Sequence, residues 1–550
     1  MNHLLPCFLT LLLVGTSRLS AAENAAPPRE MTAAEGMQLP RLAREAMRRY
    51  LADRTPPEAM PIPADVRALA GRKNAVAVTL RSGGAVVAVG VHEGDGIARG
   101  LVTAALRAMR SPRLPDRVDR KVLDALTVEV DVFSALREVR REELPACFVP
   151  GLTGLAYWRE APGRSAPAEA GCAWVLPSAG YVLGLNAEQM RRGAMLRYRL
   201  TPANSSLPPR LAVFTTRHFV HLADGRAFEL FRGKDMPRRL EAVEAAVAAA
   251  GQTVGAYLAR HQGRDGRYTE EDRPAALRDH LYAAWAMARL ARQVPAPELA
   301  RSASAAVAHA SKLLRREGGK AYVAEADDAL APTALLALAL GEAGEGDRPA
   351  LHGELLGWLL ERLGSDGSAA ATGPASVSAE RYMGLLALGG AGAAGDRVAR
   401  LRNAMAAGRP DDFAARAWAR RAGLPVALFP DSPGGASASD AKWLGPEALP
   451  DERGGVGVDG RPPTVVRTAL AAACLARDME QATGLGASVR AARERWSAAR
   501  RFCYGMMYQP GEAYFTADPN GWVGGVRAEP GCGAVTTAAC AAAIDALLSR

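Results

Sequence analysis

Residues 257–290 read YLARHQGRDGRYTEEDRPAALRDHLYAAWAMARL, and the folding of this stretch decides the architecture of the C-terminal half. One helix ends, a Gly- and Asp-rich loop reverses the chain, and a more apolar helix begins. Gly263, Asp265 and Gly266 supply the turn, because glycine reaches positive φ without a Cβ penalty. Pro274 suits a first helical turn, where an N–H has no partner to lose. Leu277, Leu281, Ala284, Ala288 and Ala291 then fall on one helical face.

Variants of this unit recur to the C-terminus. Residues 332–340, 380–388, 464–476 and 534–548 are apolar almost all round, which predicts helices buried on every side. Between them lie more charged helices at 238–260, 298–316, 352–363, 396–407 and 488–508. Buried helices spaced by roughly 50 residues predict a repeat array of helical hairpins. Greasy helices inside and charged helices outside pack naturally as a closed double ring. Gly/Ala-rich loops at 364–376 and 428–439 interrupt the array.

The chain has 550 residues, 49% of them hydrophobic, enough for two domains with packed cores. Its formal charge of +10 comes from arginines interleaved with acids. Arg191-Arg192, Arg238-Arg239 and Arg420-Arg421 are isolated pairs, and no basic run interleaved with aromatics exists, so nucleic acid is not an expected partner. Residues 1–22 read as a secretory signal, with an apolar centre at 9–14 and a small-x-small site at Ser20-Ala21-Ala22. Residues 23–37 read as a flexible leader. No later stretch has the ~18 uninterrupted apolar residues of a membrane span. Export to the periplasm, envelope or exterior is therefore expected. It permits disulfides: Cys147 with Cys172, and Cys532 or Cys540 with Cys474 or Cys503. No CxxC or HExxH occurs, and neither a metal nor a cofactor is expected.

Residues 38–235 have a different texture. Segments 75–80 and 85–91 read as strands joined by a turn at Gly83-Gly84. Residues 97–110 read as a helix capped by Asp95, and Ser111–Pro115 (SPRLP) ends it. In 126–133, Val128, Val130 and Val132 alternate with Glu129 and Asp131, the pattern of a strand buried on one face. Segments 196–202, 211–222 and 227–233 read as further strands. The loop at 94–100 has dinucleotide-like glycines, but it follows a hairpin and not a βαβ unit, so no nucleotide is expected.

The order hairpin, helix, SPRLP, alternating strand resembles the AMMECR-type domain. Ser111-Pro112-Arg113-Leu114-Pro115 stands at that family's Asp-Pro-Arg-Phe-Pro, and Thr127–Ser134 matches its alternating strand. Gly151-Leu152-Thr153-Gly154-Leu155 and Val175-Leu176-Pro177-Ser178 look like two further family segments. The resemblance implies an α/β fold with a mixed sheet and flanking helices. One departure matters: the family's L-R-G-C-I-G segment is replaced by Val86-Val87-Ala88-Val89-Gly90-Val91. Activity depending on that segment is not expected here.

Residues 236–550 resemble the α/α-toroid proteins: terpenoid cyclases, prenyltransferase β-subunits and six-hairpin glycosidases. The features that carry it are His261–Tyr268 (HQGRDGRY) and Gly521–Arg527 (GWVGGVR) ahead of a last apolar helix. Fold-level resemblance does not transfer function. The candidate catalytic residues are Glu325, Asp327 and Asp328, clustered carboxylates ahead of an inner helix that approximate the D-x-D-D acid of terpene cyclases. The competing reading is a helix cap. Asp265, Asp279, His280 and Trp285 are the candidate ligand-binding residues at the mouth of the first hairpin, where paired carboxylates suit glycan chemistry. The expected function is a ligand-binding or scaffold protein of the cell envelope, with carbohydrate or another small ligand in the toroid cavity. The alternatives are a glycan-processing enzyme and, behind it, a terpene-cyclase-like enzyme.

Overall fold

A computed structural model describes residues 31–62, 75–93, 96–111, 113–114, 118–158, 172–199, 210–236, 239, 244–324, 328–343, 348–365, 376–390, 395–410, 412–429, 441–481 and 487–549. The signal and leader expectations, the Asp95 cap, Glu325 and Asp327 lie outside the described residues, apart from the last residues of the leader.

In the α/β part the strands are β1 (Val76–Ser82), β2 (Ala85–His92), β3 (Thr127–Phe133), β4 (Arg137–Glu138), β5 (Gly154–Trp158), β6 (Cys172–Val175), β7 (Arg210–Phe214), β8 (Thr216–His221) and β9 (Ala227–Leu230). They form two sheets, in the orders β2-β1-β3-β8-β9 and β4-β7-β5-β6, and every pairing in both is antiparallel. Gly83 and Gly84 take φ of 51° and 80° at the tip of the expected hairpin. The chain changes sheets at Thr215, between β7 and β8. The helices are α1 (Ala33–Asp53), α2 (Ile97–Ala108), α3 (Arg120–Ala125), α4 (Leu144–Cys147), α5 (Pro177–Leu183) and α6 (Ala187–Arg199). α1 and α2 cover one face of the five-stranded sheet, where Leu39, Leu101 and Ala105 meet Val76, Val78, Val128 and Val130. On the other face Phe133 stacks on Phe214 of the second sheet, ring centroids 4.4 Å apart.

Residues 196–199 end α6 and are not strand. The alternation Leu196-Tyr198 is too short to outweigh a helix, and Glu188 braces the first turns by reaching Arg191 and Arg192 at 2.6 and 3.1 Å. Pro274 pairs with Thr269 in a two-residue strand, and the helix begins only at Leu277. Cys147, Cys172, Cys474, Cys503, Cys532 and Cys540 are all free thiols, so none of the expected disulfides forms. The helical cysteines meet backbone instead: Cys474 Sγ donates to Ala417 O, and Cys540 Sγ accepts from Val526 N.

The helical part continues with α7 (Glu244–Arg260), α8 (Leu277–Gln293), α9 (Pro297–Ser311), α10 (Leu330–Ala343), α11 (Pro349–Ser365), α12 (Ala379–Gly390), α13 (Asp396–Ala407), α14 (Phe413–Arg421), α15 (Val465–Gln481), α16 (Ala487–Met506) and α17 (Thr537–Leu548). The packing order closes on itself: α8 packs on α10, α10 on α12, α12 on α14, α14 on α15, α15 on α17, and α17 on α8. α7, α9, α11, α13 and α16 pack on the outside of these six. Between α14 and α15 no outer helix intervenes among the described residues.

Buried charge joins the two parts. Asp451, ahead of α15, accepts from Lys234 Nζ at 2.6 Å and lies 3.4 Å from Arg232 Nη1. Glu512 accepts from Asp235 N at 2.9 Å and pairs with Arg239. Tyr514 lies over β3 and β8: its hydroxyl is 3.1 Å from His218 Nε2 and donates to Glu129 Oε2 at 3.3 Å. His218 Nδ1 meets Asp131 Oδ1 at 3.1 Å, and Arg81 pairs with Glu129. The acidic face of β3, expected to be open, is therefore buried, with Glu129 and Asp131 at 0% and 1% exposure.

Candidate functional site at the mouth of the helical ring

The six inner helices run in the same direction, and a cavity of about 390 Å³ opens where their C-terminal ends converge. Each helix contributes: Trp285 and Arg289 from α8, Glu342 from α10, Leu386 and Gly390 from α12, Arg421 from α14, Arg477 and Glu480 from α15, and Asp545 from α17. Parallel helices gather the negative ends of their dipoles at one place, each roughly half a charge. The three arginines complement that field.

Asp545 forms the floor. It is 1% exposed on an otherwise apolar helix, which a lone carboxylate tolerates only when paired. Arg421 bonds both of its oxygens, one contact at 3.2 Å, and Arg289 bonds Oδ1 from the other side. Tyr282 donates to Oδ2 at 3.4 Å. Burial pushes the carboxyl upward, but Arg421 and Arg289 together outweigh it and hold Asp545 below the ordinary carboxylate value. Burial, with Asp545 beside it, raises the Tyr282 phenol. The aromatics are occupied as well. The Arg421 guanidinium lies 4.7 Å from the Trp418 ring and 4.9 Å from Trp285, and Arg289 lies 5.5 Å from Trp285. Such contacts contribute on the order of 0.5–2 kcal/mol each. Glu342 lies 3.7 Å from Arg289 Nε and 2.9 Å from Arg292. The floor is a closed salt network carrying a fixed ionisation state, and the mouth above it offers arginine, carboxylate and backbone carbonyl groups.

Of the residues expected to bind ligand, only Trp285 reaches this cavity. Asp265, Asp279 and His280 lie at the opposite end of α8. Asp265 caps its own turn, accepting from Arg267 N at 3.1 Å, and meets His309 at 3.2 Å. His280 is fully buried: its Nδ1 accepts from Tyr268 N at 3.3 Å, and its Nε2 lies 3.2 Å from Ala306 O. Burial, reinforced by His309, drives its pKa down to about 4, so it is neutral. Asp279 occupies the first turn of α8, where an acid complements the dipole. Gln262 and Tyr268 of the loop motif bond Ser302 of α9 at 2.9 and 3.2 Å, so this motif pins the hairpin. Asp328 accepts from Leu330 N at 2.8 Å and Ala331 N at 3.4 Å, a cap on α10.

The residues that sequence reading passed over are Arg421, Asp545, Arg289, Glu342 and Arg477. A signal existed for two of them: Asp545 interrupts AAAIDALL, and Arg421 closes the FAARAWARR helix, each a charge inside a run otherwise buried. Among the described residues no group of three or more His, Cys, Asp or Glu is placed to hold a metal ion. No helix among them is long and apolar enough to cross a membrane.

No protein-family model and no curated protein sequence matches this chain. Among solved structures, this chain is similar to the crystal structure of an uncharacterized protein from Pyrococcus horikoshii, at 22% sequence identity, covering 36% of this chain and 98% of that one, with a TM-score of 0.31.

Proposed function

We propose that this chain is an exported protein of the cell envelope, an AMMECR-like domain joined to an (α/α) toroid, whose toroid mouth binds a small polar ligand of sugar size without converting it. The observation that supports binding over turnover is the state of Asp545. Two arginines hold it ionised, so it has no proton to donate, and both partners would have to be displaced before it acted as a base. Export rests on the apolar N-terminal segment and its small-residue site. A glycan-processing enzyme is the second reading, favoured by one observation: Glu342 and Asp545 line the same cavity and both face Arg289. Asp328, tied into a helix cap, lends no support to a terpene-cyclase reading.

The test is a thermal-shift screen of the full chain against mono- and oligosaccharides, beside a plugged variant. Gly390 lines the mouth, and a Cβ there would meet nothing within 4 Å, so Gly390→Trp fills the cavity without backbone strain. The expected result is a sugar that raises Tm in the parent, fails with Gly390→Trp, and is recovered intact after incubation. Recovery of cleaved product would replace the binding reading with the glycan-processing one. A shift unaltered by the plug would remove the mouth as the site.

A further inference from the structure

The ring mouth carries a charge that its closed floor does not use. Three arginines, Arg289, Arg421 and Arg477, and three acids, Glu342, Glu480 and Asp545, line it, so their formal charges cancel. The converging C-terminal helix ends, each on the order of half a unit charge, then leave the mouth negative.

The three acids stand in the last turns of α10, α15 and α17, where the dipole of the helix opposes a carboxylate. Two of them are compensated. Asp545 is held by Arg421 and Arg289, and Glu342 lies 2.9 Å from Arg292. Glu480 is exposed and has neither ion pair nor hydrogen bond among the described residues. Arg477, one turn before it, donates instead to Arg421 O at the end of α14. An uncompensated carboxylate in a negative field is a position for a cation.

The same cavity holds unpaired donors. Trp285 is 3% exposed, yet its indole Nε1–H has no partner among the described residues, and Arg477 Nε is buried and unpartnered as well. Neither requires an anion: Trp285 is uncharged, and Arg477 already lies on the negative end of α14. A neutral hydroxyl oxygen satisfies each of them.

We infer that the mouth selects a hydroxylated primary amine, an amino sugar, whose ammonium group meets Glu480 and whose hydroxyls accept from Trp285 and Arg477. This rests on the reading of the mouth as a sugar site and adds the charge of the ligand.

Isothermal titration of the full chain at about pH 6, where a sugar amine is protonated, compares glucosamine, glucose and glucuronate. Glucosamine is expected to bind about tenfold or more tighter than glucose, the gain of a hydrogen bond between charged groups, with glucuronate weakest. Glu480→Gln, at an exposed position, is expected to bring glucosamine down to the affinity of glucose and to leave glucose unchanged. Gly390→Trp is expected to remove binding of all three. Glucose or glucuronate binding as tightly as glucosamine overturns the inference while leaving a sugar site at the mouth, and so does a preference that survives Glu480→Gln. If none of the three binds at millimolar concentration, or if Gly390→Trp leaves glucosamine bound, the sugar site itself fails and this inference with it.

Discussion

Arg421 at the end of α14 reaches past α15 to Asp545 of α17, 124 residues away, and the pair closes the floor of the ring mouth. Arg289 bonds Asp545 as well, from the other side. Arg421 lies against two tryptophan rings, and Asp545 lies on a helix of alanines.

The losses from removing each partner should therefore not add. Asp545→Ala leaves two arginines facing an apolar wall and is expected to destabilise by about 3–5 kcal/mol. The double change Asp545→Ala with Arg421→Met should cost less than the sum of the single changes by more than ~1 kcal/mol. Urea denaturation of the four proteins in the cycle measures it, and additive losses would show that the pair is not coupled.

Lys234 makes stability rise with pH. Burial, only partly offset by Asp451, lowers its pKa from 10.5 to about 7. Between those values the unfolded chain binds a proton that the folded chain does not, so stability increases as pH goes from 7 towards 10.5. The dependence should be weaker in Lys234→Met than in the parent, by thermal melts at half-unit pH steps. Equal slopes would contradict it.

His218 acts with the opposite sign. Burial alone would lower its pKa, but Asp131 and Glu129 outweigh that and the opposing Arg81, and hold it above 6.5. Its contribution is full below pH 6.5 and is lost as pH rises through the raised value. Tyr514→Phe removes the hydroxyl that bridges His218 and Glu129 and is expected to cost about 1–3 kcal/mol. Faster limited proteolysis between the two parts reads this out, whereas an unchanged cleavage rate would show that the contact does not hold them together.

Gly90 in β2 faces α2 so closely that a Cβ would stand 2.0 Å from Ala104 O. Gly90→Ala must push the helix off the sheet and is expected to destabilise by more than about 2 kcal/mol. Circular dichroism melts check it, and a neutral substitution would contradict the observed packing.

The sequence was most legible where burial is uniform. Helices α8, α10, α12, α15 and α17 lie in the apolar runs because their central turns are buried almost all round. α14 was not anticipated, since Arg416, Arg420 and Arg421 make it look exposed, although Arg416 and Arg421 are buried. The same ambiguity hid the joint between the two parts. An acid-lined strand face signals solvent when read alone, and only Tyr514, some 385 residues on from Glu129, turns it into an interface. Periodicity identifies the inward face of a helix but not which end lies at an open mouth. Asp265 and His280 were consequently placed with Trp285, although they occupy the other end of the hairpin. Pairings such as Arg421 with Asp545 depend on ring closure, which no local pattern encodes.

Closure is most directly tested by ending the chain at residue 535, which deletes α17. In a closed ring that helix packs on α7, α8, α15 and α16 and supplies Asp545. Far-UV circular dichroism of the truncated protein is predicted to show cooperative loss of helix well beyond the 12 residues of α17. A loss confined to roughly those residues, with the remaining helices melting as before, would indicate an open solenoid and contradict the ring.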